Sequence, residues 1–75
     1  MAKTFRGRFV AKILVKEFGF EQVGQKGSHL KLKKKTSEGN IVTIVPIHRE
    51  LAWGTLRGVL QLAQVDYEEF LRRAK

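Results

Sequence analysis

The stretch Lys26-Gly27-Ser28-His29-Leu30-Lys31-Leu32-Lys33-Lys34-Lys35 decides how this chain is read. From His29 onward Leu30 and Leu32 point one way, while His29, Lys31, Lys33 and Lys35 point the other. That two-residue period belongs to a strand with one face buried and one in water. Lys26-Gly27-Ser28 before it has the composition of a turn, and so does Thr36-Ser37-Glu38-Gly39-Asn40 after it. Two further strands flank these turns. Phe20 to Gln25 is short and mixed. Ile41-Val42-Thr43-Ile44-Val45 is β-branched throughout, and Pro46 ends it. Short connections between three strands predict an antiparallel meander.

Outward from the meander the period changes to that of helices. Val10, Ile13, Leu14 and Phe18 fall at i, i+3, i+4 and i+8, which predicts a helix over Gly7 to Phe18 with Lys12 and Lys16 off its apolar stripe. Gly19 reads as its C-terminal stop. His48 to Trp53 is expected to be loop. Leu56, Val59, Leu60 and Ala63 predict a second helix starting near Gly54-Thr55. Asp66 with Glu69 three residues on has capping-box spacing and opens a third, in which Tyr67, Phe70, Leu71 and Ala74 form the stripe. Arg72, Arg73 and Lys75 fall in its last turn, where the helix dipole favours cations. The order α-β-β-β-α-α defines an α+β fold. Each element has one apolar face, so the helices must cover one side of the sheet and leave the other free.

Seventy-five residues is one domain, 1–75, with a thin core. There is no cysteine, which removes disulfide scaffolds, thiolate metal sites and thiol chemistry. Apolar residues make up 43% and charged residues 29%, the balance of a folded globular chain and too apolar for a disordered one. No apolar run reaches the ~20 residues of a membrane span. Met1-Ala2-Lys3-Thr4-Phe5-Arg6 has no signal-peptide pattern, so the expected location is the cytoplasm.

Fifteen Lys and Arg against seven Asp and Glu leave a formal charge of +8. On so small a body this draws in polyanions, nucleic acid above all. Charge alone is equally satisfied by a ribosomal protein or a DNA-binding domain. The exposed face of the central strand is more particular. His29, Lys31 and Lys33 project from one side over roughly 13 Å, an imidazole followed by a row of ammonium groups. A charged strand face also protects a sheet against aggregation, so the spacing by itself is open between the two.

Gly27 lets a backbone approach a phosphate, or simply makes a tight turn. The Ser28 hydroxyl can donate to a phosphate oxygen. No His/Asp/Glu cluster has metal-ligand spacing, and neither a Gly-x-Ser-x-Gly elbow nor a Gly-x-x-x-x-Gly-Lys loop is present. No metal or other cofactor is expected. His48, after Pro46 in a loop, reads as a local hydrogen-bonding residue. RNA carries its own nucleophile, the 2′-hydroxyl, so cutting it needs only proton carriers and cations. A histidine titrating near neutral pH serves either proton-transfer role, and Lys26, Lys31 and Lys33 would stabilise the phosphate charge.

Gln25-Lys26-Gly27-Ser28-His29 opening a basic strand resembles the Gly-Ser-His motif of the HicA-like toxins, the mRNA interferases of HicAB toxin–antitoxin systems. Ile44-Val45-Pro46-Ile47-His48-Arg49-Glu50-Leu51 followed by Gly54-Thr55-Leu56-Arg57 resembles that family's second signature, and Gly19-Phe20 also matches. The likeness runs from about Val10 to Leu71. It implies a fold similar to a double-stranded-RNA-binding domain, with helices on one face of a three-stranded antiparallel sheet. It implies ribonuclease activity on mRNA with His29 as the catalytic residue, and a HicB-like antitoxin that masks it. Trp53 departs from the family pattern, standing where a basic residue or proline is usual. It is expected at the rim of the site, stacking on an unpaired base or packed over Leu51 and the helix. Gln64 stands where a glycine usually separates the last two helices. Two readings of the activity follow: a metal-independent endoribonuclease, and a non-catalytic RNA-binding module of the same fold in which His29 only contacts the backbone. A ribosome-associated structural protein rests on charge alone.

Overall fold

The computed structural model describes residues 4–74. The readings that fall on Met1-Ala2-Lys3 and on Lys75 therefore lie outside the described residues. Along the chain come β1 (Phe5–Arg6), α1 (Gly7–Phe18), β2 (Glu21–Lys26), β3 (His29–Thr36), β4 (Gly39–Pro46), β5 (Glu50–Leu51), α2 (Trp53–Ala63) and α3 (Tyr67–Arg73). Strands β2, β3 and β4 form the expected three-stranded antiparallel meander, in that spatial order. The fold is α+β, with the α-β-β-β-α arrangement of a double-stranded-RNA-binding domain at its centre.

The register decides which side chains meet. Lys26 pairs with His29 at the first hairpin, and Thr36 with Gly39 at the second, so each turn holds two residues. The β3–β4 ladder is uninterrupted from His29↔Pro46 to Thr36↔Gly39. The β2–β3 ladder shifts between Gln22 and Gly24, where Val23 is the extra residue of a bulge. On the side facing the helices Leu30, Leu32 and Val45 are buried. Thr43 shares that face as a buried polar residue, and its hydroxyl donates to the Val59 carbonyl at 2.8 Å. That bond satisfies the polar group and ties α2 to β4.

The helices close the core from one side. α1 supplies Val10, Ala11, Ile13 and Leu14, α2 supplies Leu56, Val59, Leu60 and Ala63, and α3 supplies Phe70. Phe70 meets the ring of Phe5 edge-on, with centroids 5.5 Å apart. Gly7 begins α1 hard against the end of β4: a Cβ there would lie 1.6 Å from the Pro46 carbonyl oxygen, so no side chain fits. α3 is capped as its spacing predicted, the Asp66 carboxylate accepting from the Glu69 amide at 3.1 Å.

The structure corrects three expectations. Of the stretch Thr36 to Asn40, read as a turn, only Ser37-Glu38 turns, because Thr36 closes β3 and Gly39 and Asn40 open β4. His48 to Trp53 is not all loop, because Glu50–Leu51 pairs antiparallel with Phe5–Arg6 in a separate two-stranded sheet. α2 begins at Trp53 rather than at Gly54-Thr55. Two-residue strands are too short for any period to show. The start of α2 carries neither a capping side chain nor an acidic residue in its first turn, so packing of Leu51 and Leu56 fixes it instead of local signals.

Candidate functional site

The β2–β3 hairpin tip places the histidine. Gly27 has φ 59° and Ser28 does not have positive φ, the pattern of a II′ turn with glycine at its first central position. Two bonds pin the tip. The Ile47 amide donates to the Ser28 carbonyl at 2.8 Å, and the Gln25 side-chain amide donates to the Gly27 carbonyl at 3.0 Å. His29 is then the first residue of β3, exposed, with Lys26 and Pro46 as its neighbours across the two ladders. Its imidazole is held by no hydrogen bond or ion pair among the described residues, so both ring nitrogens are free for a ligand.

From His29 the free face of the sheet runs outward along β3. Lys31 lies between Gly24 and Ile44, and Lys33 between Glu21 and Val42. Glu21 faces Lys33 in register without closing to an ion pair, and neither Lys26 nor Lys31 is ion-paired among the described residues. These ammonium groups therefore present uncompensated charge to solvent. Beside the cationic column stands an apolar one: Val42 and Ile44 on β4 keep 36% and 38% of their surface exposed. Gly24, small and opposite Lys31, leaves that edge low. Lys26, Gly27, Ser28, His29, Lys31 and Lys33 are thus gathered on the hairpin tip and one continuous sheet face.

Trp53 is not on that face. It belongs to the helical layer, where its ring packs edge to face on Tyr67 with centroids 4.6 Å apart. His48 is exposed in the segment between β4 and β5. The sequence reading missed the apolar column, although the alternation of Val42 and Ile44 against buried Thr43 and Val45 carries it. It also missed a second basic feature. Arg8, Lys12 and Lys16 recur every fourth residue on α1 and flank a groove of about 400 Å³ floored by Ala11, Leu30 and Ile47.

On α3 the guanidinium groups of Arg72 and Arg73 hydrogen-bond the Glu69 carboxylate, which holds its pKa below the ordinary 4.5 and raises both arginines. Any stabilisation from this pairing is complete above pH 4.5 and lost as pH falls through the lower folded value. Arg73 also reaches Glu17 of α1 at 3.6 Å. Among the described residues no group of His, Asp and Glu could hold a metal ion, and no helix is long and apolar enough to cross a membrane.

Fold and site together define a small α+β domain presenting one unpartnered histidine at the head of a cationic sheet face. One family, described as HicA toxin of bacterial toxin–antitoxin, matches residues 7–65. That span takes in α1, the meander and α2, and the chain belongs to the HicA toxin family. It is a toxin of a toxin–antitoxin system, which implies a cognate antitoxin as partner. No curated protein sequence matches the chain significantly.

Proposed function

We propose that this toxin is a metal-independent endoribonuclease that cuts mRNA in the cytoplasm at the free face of the sheet, with His29 as its catalytic residue. The observation that carries the proposal is an exposed imidazole, held by no hydrogen bond or ion pair among the described residues, at a braced turn that leads straight into a row of ammonium groups.

The chemistry follows from what RNA brings and what the face supplies. The RNA 2′-oxygen attacks the adjacent phosphorus as the neutral imidazole of His29 takes its proton. The bond from phosphorus to the 5′ oxygen breaks, and that oxygen leaves with a proton from the imidazolium or from water. The products are a cyclic phosphate and a 5′-hydroxyl. Lys26 and Lys31, on either side of His29, offset the charge that builds on the phosphate. The Ser28 hydroxyl and a close approach at Gly27 would seat the same group, and Lys33 would hold the next stretch of backbone. DNA lacks the 2′-hydroxyl and would bind without being cut. The antitoxin would be HicB-like and mask His29. The exposed Val42 and Ile44, set beside Lys31, offer such a partner an apolar strip with a basic border, suited to an acidic cover.

The test is one labelled transcript incubated with wild type and with His29→Ala, chelator present throughout. Wild type cuts, and His29→Ala is expected to lose cleavage by at least about a hundredfold while keeping its fold and most of its RNA affinity. Equal cutting by both proteins would remove His29 from the chemistry. Binding without cutting by wild type would leave a non-catalytic RNA-binding module.

A further inference from the structure

A second pocket lies on the helical layer, away from the sheet face. Trp53, Arg57 and Gln61 fall at i, i+4 and i+8 and so share one face of α2. Val65 and Tyr67, from the turn and from α3, complete the lining of about 390 Å³, with buried Leu60 at the floor. An aromatic ring, a guanidinium and an amide thus stand in a row, and a second aromatic ring in contact with the first closes the Trp53 end. The Trp53 and Tyr67 rings are inclined at 75° and make a corner rather than a slot. A flat ligand stacked on one ring would meet the other along its edge. Trp53 keeps 46% of its surface exposed despite that contact. Arg57 and Gln61 are exposed, and their side chains make no hydrogen bond or ion pair among the described residues.

We propose that Trp53, Tyr67, Arg57 and Gln61 form a nucleobase subsite that takes an unpaired purine nucleotide of RNA. The proposal rests on the reading of the chain as an RNA-binding toxin and adds a second binding point to it. Exposed aromatic rings stack on bases, and a purine offers the larger face. The polar groups set the orientation. Arg57 attracts the phosphate. The Asp66 carboxylate, which also lines the pocket, repels phosphate and accepts from base amino groups. The base edge therefore points toward Gln61 and Asp66, and the phosphate lies at the Arg57 end. The α1 groove makes a useful contrast. Its floor is aliphatic and gives a base no ring to stack on.

Trp53 is the only tryptophan, so its emission reports on this pocket alone. The experiment titrates the wild-type protein with adenosine and guanosine 5′-monophosphates, which carry no phosphodiester link to cut. Uridine 5′-monophosphate and poly-glutamate are the controls. Purine nucleotides should quench emission saturably, and more strongly than the uridine nucleotide. Poly-glutamate, charged but without a base, should not. Arg57→Gln and Tyr67→Leu should each weaken purine binding roughly five- to hundredfold. Arg57→Gln alters an exposed side chain, so it keeps the test sound if Tyr67→Leu disturbs α3. Quenching that never saturates, that is equal for all nucleotides, or that ignores Arg57→Gln would overturn the subsite. Quenching by poly-glutamate would overturn it in favour of an acidic protein surface. The readout is binding, so absence of cleavage by wild type would strike the ribonuclease reading without touching this one.

Discussion

Lys31 and Leu32 are neighbours on one strand, yet Leu32 is fully buried and Lys31 stands in water. The difference holds along the whole sheet. One face, Leu30, Leu32, Thr43 and Val45, is sealed under α1 and α2. The other, His29, Lys31, Lys33, Val42 and Ile44, points away from the helices. The first face makes the fold, and the second is free to vary in chemistry because no buried core residue comes from it. A strand whose residues alternate between these duties lets stability and binding be altered separately, one residue apart.

The sharpest way to break that comparison is to cut into the sealed face. Leu32→Ala removes a fully buried side chain at the centre of the sheet and should cost about 2–5 kcal/mol. A 75-residue domain has little stability to lose, so thermal or urea unfolding should show most of it gone. If Leu32→Ala melted like wild type, the division of labour between the faces would be wrong.

The matching change on the open face is Lys31→Ala with Lys33→Ala. Among the described residues these ammonium groups make no ion pair or hydrogen bond, so the melting temperature should stay near that of wild type. RNA affinity should fall for all sequences alike. The slope of log affinity against log salt should flatten by up to roughly 0.7 for each single-strand phosphate left without its lysine. Glu21 sits opposite Lys33 in register, so Lys31→Ala alone should account for the larger part. An unchanged slope would place the RNA elsewhere, with the Arg8, Lys12 and Lys16 ridge of α1 the next surface to alter.

The sequence showed the sealed and open faces because each follows from period. The bounds of α1 are those the Val10–Phe18 spacing predicts; β2 and β3 differ from expectation by a residue at their ends, while β4 begins at Gly39, two residues before the expected Ile41. The Asp66 cap was equally legible, since a side chain three residues before its partner amide is a local signal. Long-range pairings left no such trace. The pairing of β1 with β5 joins residues far apart in the chain, and Gly7 is required by its approach to Pro46 rather than by any turn. The gathering of Gly27, Ser28, His29 and Lys31 could be read because all lie on one hairpin. The Trp53 pocket could not, because Tyr67 reaches it only after α2 ends and the chain turns back into α3.

That turn gives the smallest effect. Gln64 ends α2 in the left-handed region at φ 57°, and its amide donates to the carbonyls of Gln61 and Leu60. It is the one residue other than glycine with positive φ among those described, and it stands where the resemblance to the family leads one to expect glycine. A side chain there carries a conformational cost that glycine avoids. Glycine in turn adds entropy to the unfolded chain and offsets part of the gain. The balance favours Gln64→Gly by about 0.5–1 kcal/mol, a rise of roughly 2–8 °C in melting temperature for a domain of this size. Gln64→Ala keeps the cost and should show no such rise. Neither change reaches the sheet face, so cleavage and the salt dependence of RNA binding should remain those of wild type. A stabilised Gln64→Gly protein with altered RNA binding would mean that the helical turn and the open face are coupled, and the separation of the two faces would then need to be redrawn.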